Sequence, residues 1–293
     1  MSVFVNYRVC VMPKGILLGF LAFASFAISD AFIKSIHGAL PAYQLGFFSA
    51  AFSVLLLPFV WTRGTAAVDL VRPKRPGLWV LRGILSVINI LTSVLAFTHL
   101  SMAEAFALIF LMPLAVTAMS VWFLSEKVTL SGWAAISLGF IGVLVVLRPG
   151  FREIEIGHIA ALTCGFTGAG LSVLLRKVGQ TEKPISLFGA GQLFPLVIFA
   201  LLMIPGFVPP KPMQWVAIAF YATLSAGGNM LLMFASRLSP ASQIAPTQYS
   251  QMLWGLGLGY VFFHDRIDLI TLLGVVLIVG AGLWLFLPKR RAT

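Results

Sequence analysis

The sequence predicts an all-α integral membrane protein with ten transmembrane helices, arranged as two inverted five-helix repeats around a central cavity. Three observations predict it. Hydrophobic residues make up 59% of the 293 and charged residues 10%, against about 45–50% and about 25% in domains that fold in water. The apolar residues fall into successive runs of roughly 20, the length a helix needs to cross hydrocarbon, without the two-residue alternation of a membrane barrel strand. Finally, the second half of the chain repeats the first.

In chain order, a cytoplasmic tail at 1–14 carries Arg8 and Lys14 and leads into run one, 15–36. That run is too long for a signal-peptide core and lacks a clear small-residue cleavage site, so it is expected to remain as an anchor. Run two covers 42–61. "RPKRPG", Arg72 to Gly77, introduces run three at 78–98 and reads as a topology determinant, with a lipid-headgroup contact as the rarer use. Run four, 103–124, has Pro113 in mid-span, and "SVWFLSEKVTLSGW" joins it to run five, 129–147. Within that stretch Ser125 to Val128 is a hairpin at the water interface, flanked by Trp122 and Trp133 as belt aromatics. "RPGFREIEIG" contains the periplasmic connector, 149–156, where charge returns beside Pro149-Gly150. Runs six to ten follow at 157–175, 184–204, 213–235, 240–263 and 268–287, and a basic cytoplasmic tail occupies 289–293. Cys10 and Cys164 lie in the tail and in run six, which makes a disulfide framework improbable.

Basic residues orient the chain. With the N-terminus inside, 15 of the 20 Lys and Arg residues face the cytoplasm, leaving Lys34, Arg148, Arg152, Lys211 and Arg266 outside. This is the positive-inside bias, and it puts both termini in the cytoplasm. The formal charge of +11 is scattered over loops and forms no stripe interleaved with aromatics, so nucleic acid is not an expected partner.

The internal repeat lays "LSMAEAFALIFLMPLAVTAMSVWFLSEKVTL", from Leu100, over "LSPASQIAPTQYSQMLWGLGLGYVFFHDRIDL", from Leu238, with one inserted residue. Ser101 matches Ser239, Ala103 matches Ala241, Glu126-Lys127 matches Asp265-Arg266, and Leu130 and Pro149 match Leu269 and Pro288. A weaker match joins runs one and six through Gly15 and Gly157, Ala27 and Ala169, and Lys34 and Arg176. Five spans is an odd number, so the second unit, 157–288, must enter the membrane inverted relative to the first, 15–148.

The chain resembles the drug/metabolite transporter superfamily, and within it the ten-helix EamA type. The features that carry the resemblance are Ala103, Ala105 and Ala107 at the start of run four, Pro113 in mid-span, Glu126 at its cytoplasmic end, and Gly139-x-x-Gly142 in run five. The second half departs from the pattern, with Gln251 or Met252 in place of a second proline and His264-Asp265 where Gly-Glu is common. General similarity is greatest to exporters of aromatic amino acids. The resemblance implies a transporter of the bacterial inner membrane, with a path lined mainly by helices one, three, four, six, eight and nine.

Polar residues at membrane depth mark such a path independently, because each is costly unless it meets water or a partner. Run three carries Arg82, Ser86, Asn89 and Ser93 on one helical face; run eight carries Tyr221, Ser225 and Asn229; run nine carries Gln248 and Gln251 with Gly255 and Gly259. Runs one and six add the small-residue stripes Ala22-Ser25-Ser29 and Ala160-Thr163-Thr167-Gly170. Any one of these is explained as well by helix packing, but amides concentrated on three separate helices describe a wettable interior. Asn89, Asn229, Gln248 and Gln251 are therefore expected to orient the substrate, with Ser93, Tyr221, Ser225 and Thr167 beside them. Tyr249, Trp254 and Met112 are candidates to stack on it. Pro113 and Pro246 are candidate gating bends. Gln192 is the exception, read as an interhelical bond.

Asp30 and Glu104 are the acidic residues inside spans, both near outer ends. Asp30 is expected to pair with Lys34 four residues on, and Glu104 to sit near His99 in interfacial water. With no carboxylate expected in the cavity, the chain reads as a gradient-driven exporter of small neutral or zwitterionic metabolites, amino acids foremost. A nucleotide-sugar or cationic-drug transporter is the alternative. A channel lacks its rings of charge. An enzyme lacks convergent nucleophile, base or ligands: His37, His99, His158 and His264 lie at turns or span ends, and "GFTGAG" at Gly165 to Gly170 sits inside an apolar run. No cofactor and no metal are expected, and the partners are the lipid bilayer and a small-molecule substrate, with the chain a monomer.

Overall fold

The computed structural model describes residues 14–36, 38–55, 57–60, 66–125, 128–148, 153–178, 181–238, 245–265 and 268–286. Among them all regular structure is helical. The long helices are α1 (Lys14–Ser35), α2 (Ala42–Leu55), α3 (Pro76–His99), α4 (Met102–Leu124), α5 (Leu130–Leu147), α6 (Ile156–Val178), α7 (Pro184–Met203), α8 (Pro212–Leu238), α9 (Tyr249–Phe263) and α10 (Leu269–Phe286). Seven spans built on α1 and α3 to α8 are long and apolar enough to cross a membrane. Cys10, His37, Glu126-Lys127, Pro149-Gly150, Arg152, Ser239, Ala241, Arg266, Pro288 and both tails lie outside the described residues.

The surface of the bundle inverts the pattern of a protein in water. Leu21, Phe140, Val197, Phe220, Leu253 and Val276 are exposed on the outer faces of their helices, whereas Ser29, Gln44, Ser86 and Glu104 are buried. Apolar side chains turned outward and polar ones turned inward are what a hydrocarbon solvent selects. Trp122 and Trp133 are exposed on either side of the α4–α5 hairpin, as belt residues must be.

Packing follows a regular scheme. α1 lies against α8 and α9, α6 against α3 and α4, α2 against α7, α5 against α10, α3 against α7 and α8 against α2. Advancing every label by five exchanges these pairs among themselves and carries α2–α7 and α5–α10 onto themselves. The α5–α10 crossing is close because Gly142 and Gly274 face one another: a Cβ built on Gly274 would lie 2.8 Å from the Gly142 carbonyl oxygen. Small residues let two backbones approach where lipid supplies no other drive to associate.

α4 is broken. Its first segment is Met102–Ile109 and its second Met112–Leu124, with Pro113 in the first turn of the second. Proline has no N–H to return to the Ile109 carbonyl, so the chain tightens instead, Leu111 N donating to Leu108 O at 3.2 Å. Gly165 of α6 backs onto the carbonyls left over, where a Cβ would stand 3.1 Å from Ile109 O. The bend expected at Pro113 is thus a break, with α6 fitted to it. α4 and α9 end alike. Ser125 and His264 both take left-handed backbone (φ 56° and 53°) and donate their N–H to the carbonyls of Ser120 and Gly259.

Candidate functional site

A cavity of about 320 Å³ opens inside the bundle, within the range of small-molecule sites. α3 supplies Arg82, Ser86, Asn89 and Ser93 to its wall, α8 supplies Tyr221, Ser225 and Asn229, the approach to α9 supplies Gln248 and α9 itself supplies Gln251. The three polar stripes therefore converge on one space. α1 adds Phe26, Asp30 and Ile33, α2 adds Ser49 and Ser53, and Phe97, Phe106 and Phe110 form an apolar wall.

The amides differ in what they hold. Asn89 Nδ2 donates across to α6, to Cys164 O at 2.9 Å and to Thr167 Oγ1 at 3.0 Å. Gln251 Nε2 donates to Asp30 Oδ2 at 3.1 Å, tying α9 to α1. Asn229 Nδ2 reaches only back to Ser225 O, 2.9 Å away on its own helix, and is exposed. That exposure marks the open end of the cavity. Arg82 is near the same end, its Nε donating to Leu187 O at 2.9 Å.

The other end is shut. Lys34 Nζ meets Asp265 Oδ2 at 2.6 Å and lies 5.0 Å from the centre of the Phe263 ring, while Met102 N donates to the same Asp265 oxygen at 3.0 Å. One carboxylate thus joins the ends of α1, α4 and α9. Beneath it Phe97, Phe106, Phe110 and Tyr249 stack in series, with centroids 4.9, 6.1 and 5.8 Å apart. Alongside, Gln44 exchanges two hydrogen bonds with the Val208 backbone.

Several sequence expectations need correction. Lys34 pairs with Asp265 and not with Asp30; the acidic group at the end of α9 is nearer to the lysine tip than a carboxylate one turn back. Asp30 turns into the cavity, so the premise that no carboxylate lies there, on which the gradient-driven reading rested, does not hold. Gln192 borders the cavity too, where an interhelical bond was expected. Glu104 is buried and accepts from Ser101 Oγ at 3.0 Å instead of sitting in interfacial water. His99 bonds within its own helix, to Leu95 O.

Trp254 is exposed on the outside of α9, Tyr249 packs on Phe110, and Met112 packs beside Gly168; none of the three borders the cavity. Thr167 lies behind Asn89 as its acceptor. The small stripes of α1 and α6 are packing faces, with Ala22, Ser29 and Ala160 buried and Ser29 Oγ bonded to Tyr221 O at 2.9 Å. Pro246 falls in the short 3-10 turn Ala245–Gln248 that precedes α9. Among the described residues no three His, Cys, Asp or Glu side chains come together as a metal site would need.

The profile of the EamA-like transporter family matches residues 13–148 and again 155–287. The chain belongs to this family. Among curated relatives it is similar to the pseudopaline exporter CntI of Pseudomonas aeruginosa (strain UCBPP-PA14), 26% identical over 96% of this chain and 98% of that one. It is also similar to the S-adenosylmethionine uptake transporter of Rickettsia felis, 24% identical over 93% and 92%. The riboflavin transporter of Vibrio cholerae is 25% identical over 85% of each chain. A solved crystal structure superposes with a TM-score of 0.63 at 18% identity, covering 92% of this chain and 96% of that one, which shows a shared fold. This EamA-like chain is accordingly a multi-pass membrane transporter of small metabolites.

The missed residues had only weak signals. Asp30 stands alone in an apolar helix, yet the nearby lysine offered a local explanation for it. Ser49 and Ser53 are one turn apart and could have been read as a fourth stripe.

Proposed function

We propose that this EamA-like transporter exports small neutral or zwitterionic metabolites of amino-acid type across the bacterial inner membrane by alternating access. Its two inverted five-helix halves, 15–148 and 157–288, are joined by 149–156, and both termini are cytoplasmic. The single observation that carries the reading is the polar cavity enclosed at mid-bundle by α3, α8 and α9. The twofold match of the family profile, the pairing scheme that maps onto itself when labels advance by five, and the like endings of α4 and α9 support the repeat. Rocking one half against the other would then open the shut end and close the open one.

Orientation is supported by charge. The open end shares its side of the bundle with the loops bearing Arg72, Lys74, Arg75 and Lys183, which the positive-inside bias assigns to the cytoplasm. In this state the cavity would load from the cell interior, as an exporter must. Asp30 favours a cationic drug as the second reading, since a carboxyl group on the cavity wall offers a positive ligand an ion pair.

The test is counterflow in proteoliposomes with Phe, Trp, Thr, a sugar nucleotide and a quaternary amine. Saturable, trans-stimulated flux of an amino acid is expected, lowered about tenfold by Asn229→Ala, Gln248→Ala or Gln251→Ala with folded protein unchanged. Flux of the quaternary amine alone would establish the second reading. Linear, unsaturable flux, or full activity in all three variants, would overturn the carrier and its site.

A further inference from the structure

The cavity wall carries a carboxyl group, Asp30, and a guanidinium, Arg82, set apart along its length. Asp30 is held by one neutral donor, the Gln251 amide. The cation one turn along its own helix, Lys34, is committed to Asp265. A carboxyl group that faces the cavity with no cation beside it among the described residues offers a cationic ligand an ion pair. Arg82 spends its Nε on the Leu187 carbonyl. A guanidinium has five donors, and Nη2 stands beside Gly191, 3.7 Å from where a Cβ would be, with Ser86 Oγ at the same place. The terminal nitrogens thus face the cavity at its open end.

The levels of the two groups follow from their neighbours. Ser29, adjacent to Asp30, bonds to Tyr221 O, two helical turns of α8 above Asn229 at the open end. Asp30 shares the upper cavity with Cys164, whose carbonyl receives the Asn89 amide. From Asn89 down to Arg82 is seven residues of α3, about 10 Å at 1.5 Å per residue. Phe97, Phe106 and Phe110 provide apolar wall at the Asp30 end.

We infer that the cavity is built for an elongated zwitterion whose ammonium group meets Asp30 and whose carboxylate meets Arg82, with an apolar spacer of roughly 10 Å between them. This deepens the carrier reading and rests on it for the cavity's being the substrate's. It narrows the substrate class. In a free α-amino acid the two charges flank a single carbon and cannot reach both residues at once. Amino-acid conjugates, short peptides and ω-amino acids can.

A molecular ruler tests this on the purified full-length protein. Straight-chain ω-amino acids from glycine to aminoundecanoate are titrated, with binding followed by tryptophan fluorescence. Affinity is expected to rise at least about tenfold from glycine to an intermediate length and then to fall; the alkanoate or alkylamine of the optimal length should bind about tenfold more weakly. Asp30→Asn and Arg82→Gln should each abolish the optimum. The single-charge analogues make the same comparison on the native protein should either variant fail to fold. A steady rise with chain length, which apolar burial alone would produce, overturns the inference, as does an optimum untouched by both substitutions or no binding at any length. Absence of any optimum in the native protein with counterflow intact would sink the charge pair alone, and an optimum without counterflow would sink the carrier alone.

Discussion

On α3, Asn89 sends its amide across to α6, to the Cys164 carbonyl and thiol and to Thr167 Oγ1; on α8, Asn229 bonds only within its own helix and stands exposed at the cavity mouth. Each helix leans on an equivalent neighbour, α6 for α3 and α1 for α8. In the second pair, however, the fastening falls to Ser29, which reaches the Tyr221 carbonyl. The amide is therefore a clasp between helices on α3 and, on α8, a group with no bond to another helix. Two helix pairs packed in the same way can thus present their polar side chains differently, provided each pair finds its own way to be secured.

The largest effect expected from breaking this comparison is at those two asparagines. Asn89→Leu should cost about 1–2 kcal/mol of stability, because two interhelical bonds go and the Cys164 carbonyl and Thr167 hydroxyl lose their donor. Asn229→Ala should leave stability within about 0.5 kcal/mol, having no interhelical bond to lose, while flux falls. Chemical denaturation in detergent, paired with counterflow on the same samples, separates the two outcomes. Equal destabilisation would mean that the clasp and the free amide are not distinct.

The contrast also explains how far sequence carried. The all-helical membrane class and the convergence of α3, α8 and α9 followed from apolar length and from helical spacing, both properties of a chain on its own. The broken α4 was foreshadowed by Pro113, whose missing N–H is a covalent fact. Partnership was not legible. Lys34 had two acidic groups within reach, and the one distant in sequence won because the end of α9 folds back over α1. Tyr249 and Trp254 lie on a helix whose cavity face is narrow, and a few residues of rotation send one into packing and the other outward to lipid. Gln192 and Asp30 face the cavity because of how α7 and α1 are rotated, which periodicity in an apolar helix does not specify.

An intermediate effect is expected at the shut end. Lys34 and Asp265 are mostly enclosed, their side chains 12% and 14% exposed, and the same oxygen caps Met102. Removing the cation with Lys34→Ala should favour the state open on that side. With a Ser93→Cys reporter in the cavity wall, labelling by an impermeant maleimide from the outer face should rise roughly tenfold, the change that about 1.4 kcal/mol makes in an equilibrium. Unchanged labelling would show that the aromatic stack, and not this ion pair, keeps the end closed.

The smallest effects belong to two carboxylates outside the spans, one at each end of the bundle. Asp69 accepts from Lys183 Nζ at 2.8 Å and Ala66 N at 2.9 Å, linking the α2–α3 and α6–α7 loops. Asp268 lies beside Thr271 and Arg148, with Arg148 also donating to Thr271 Oγ1 at 3.0 Å, which fastens the end of α5 to the start of α10. The Lys183 hydrogen bond holds Asp69 below the usual carboxylate range, and the Thr271 hydrogen bond, followed by Arg148, does the same for Asp268. A lowered folded-state value means stability that is fully present above the unfolded-state pKa, about 3.9 for aspartate, and that is lost as pH falls through the folded value. Both contributions are thus constant at neutral pH and vanish in acid. Because each ion pair has one partner open to water, Lys183 in the first and Asp268 in the second, screening keeps them small. Asp69→Asn and Asp268→Asn should lower the melting temperature slightly at pH 7, with the gap from the native protein closing below about pH 4. Added salt should narrow the neutral-pH gap at both sites. A gap that persists in acid would mean that the asparagine disturbs the loop by some route other than charge.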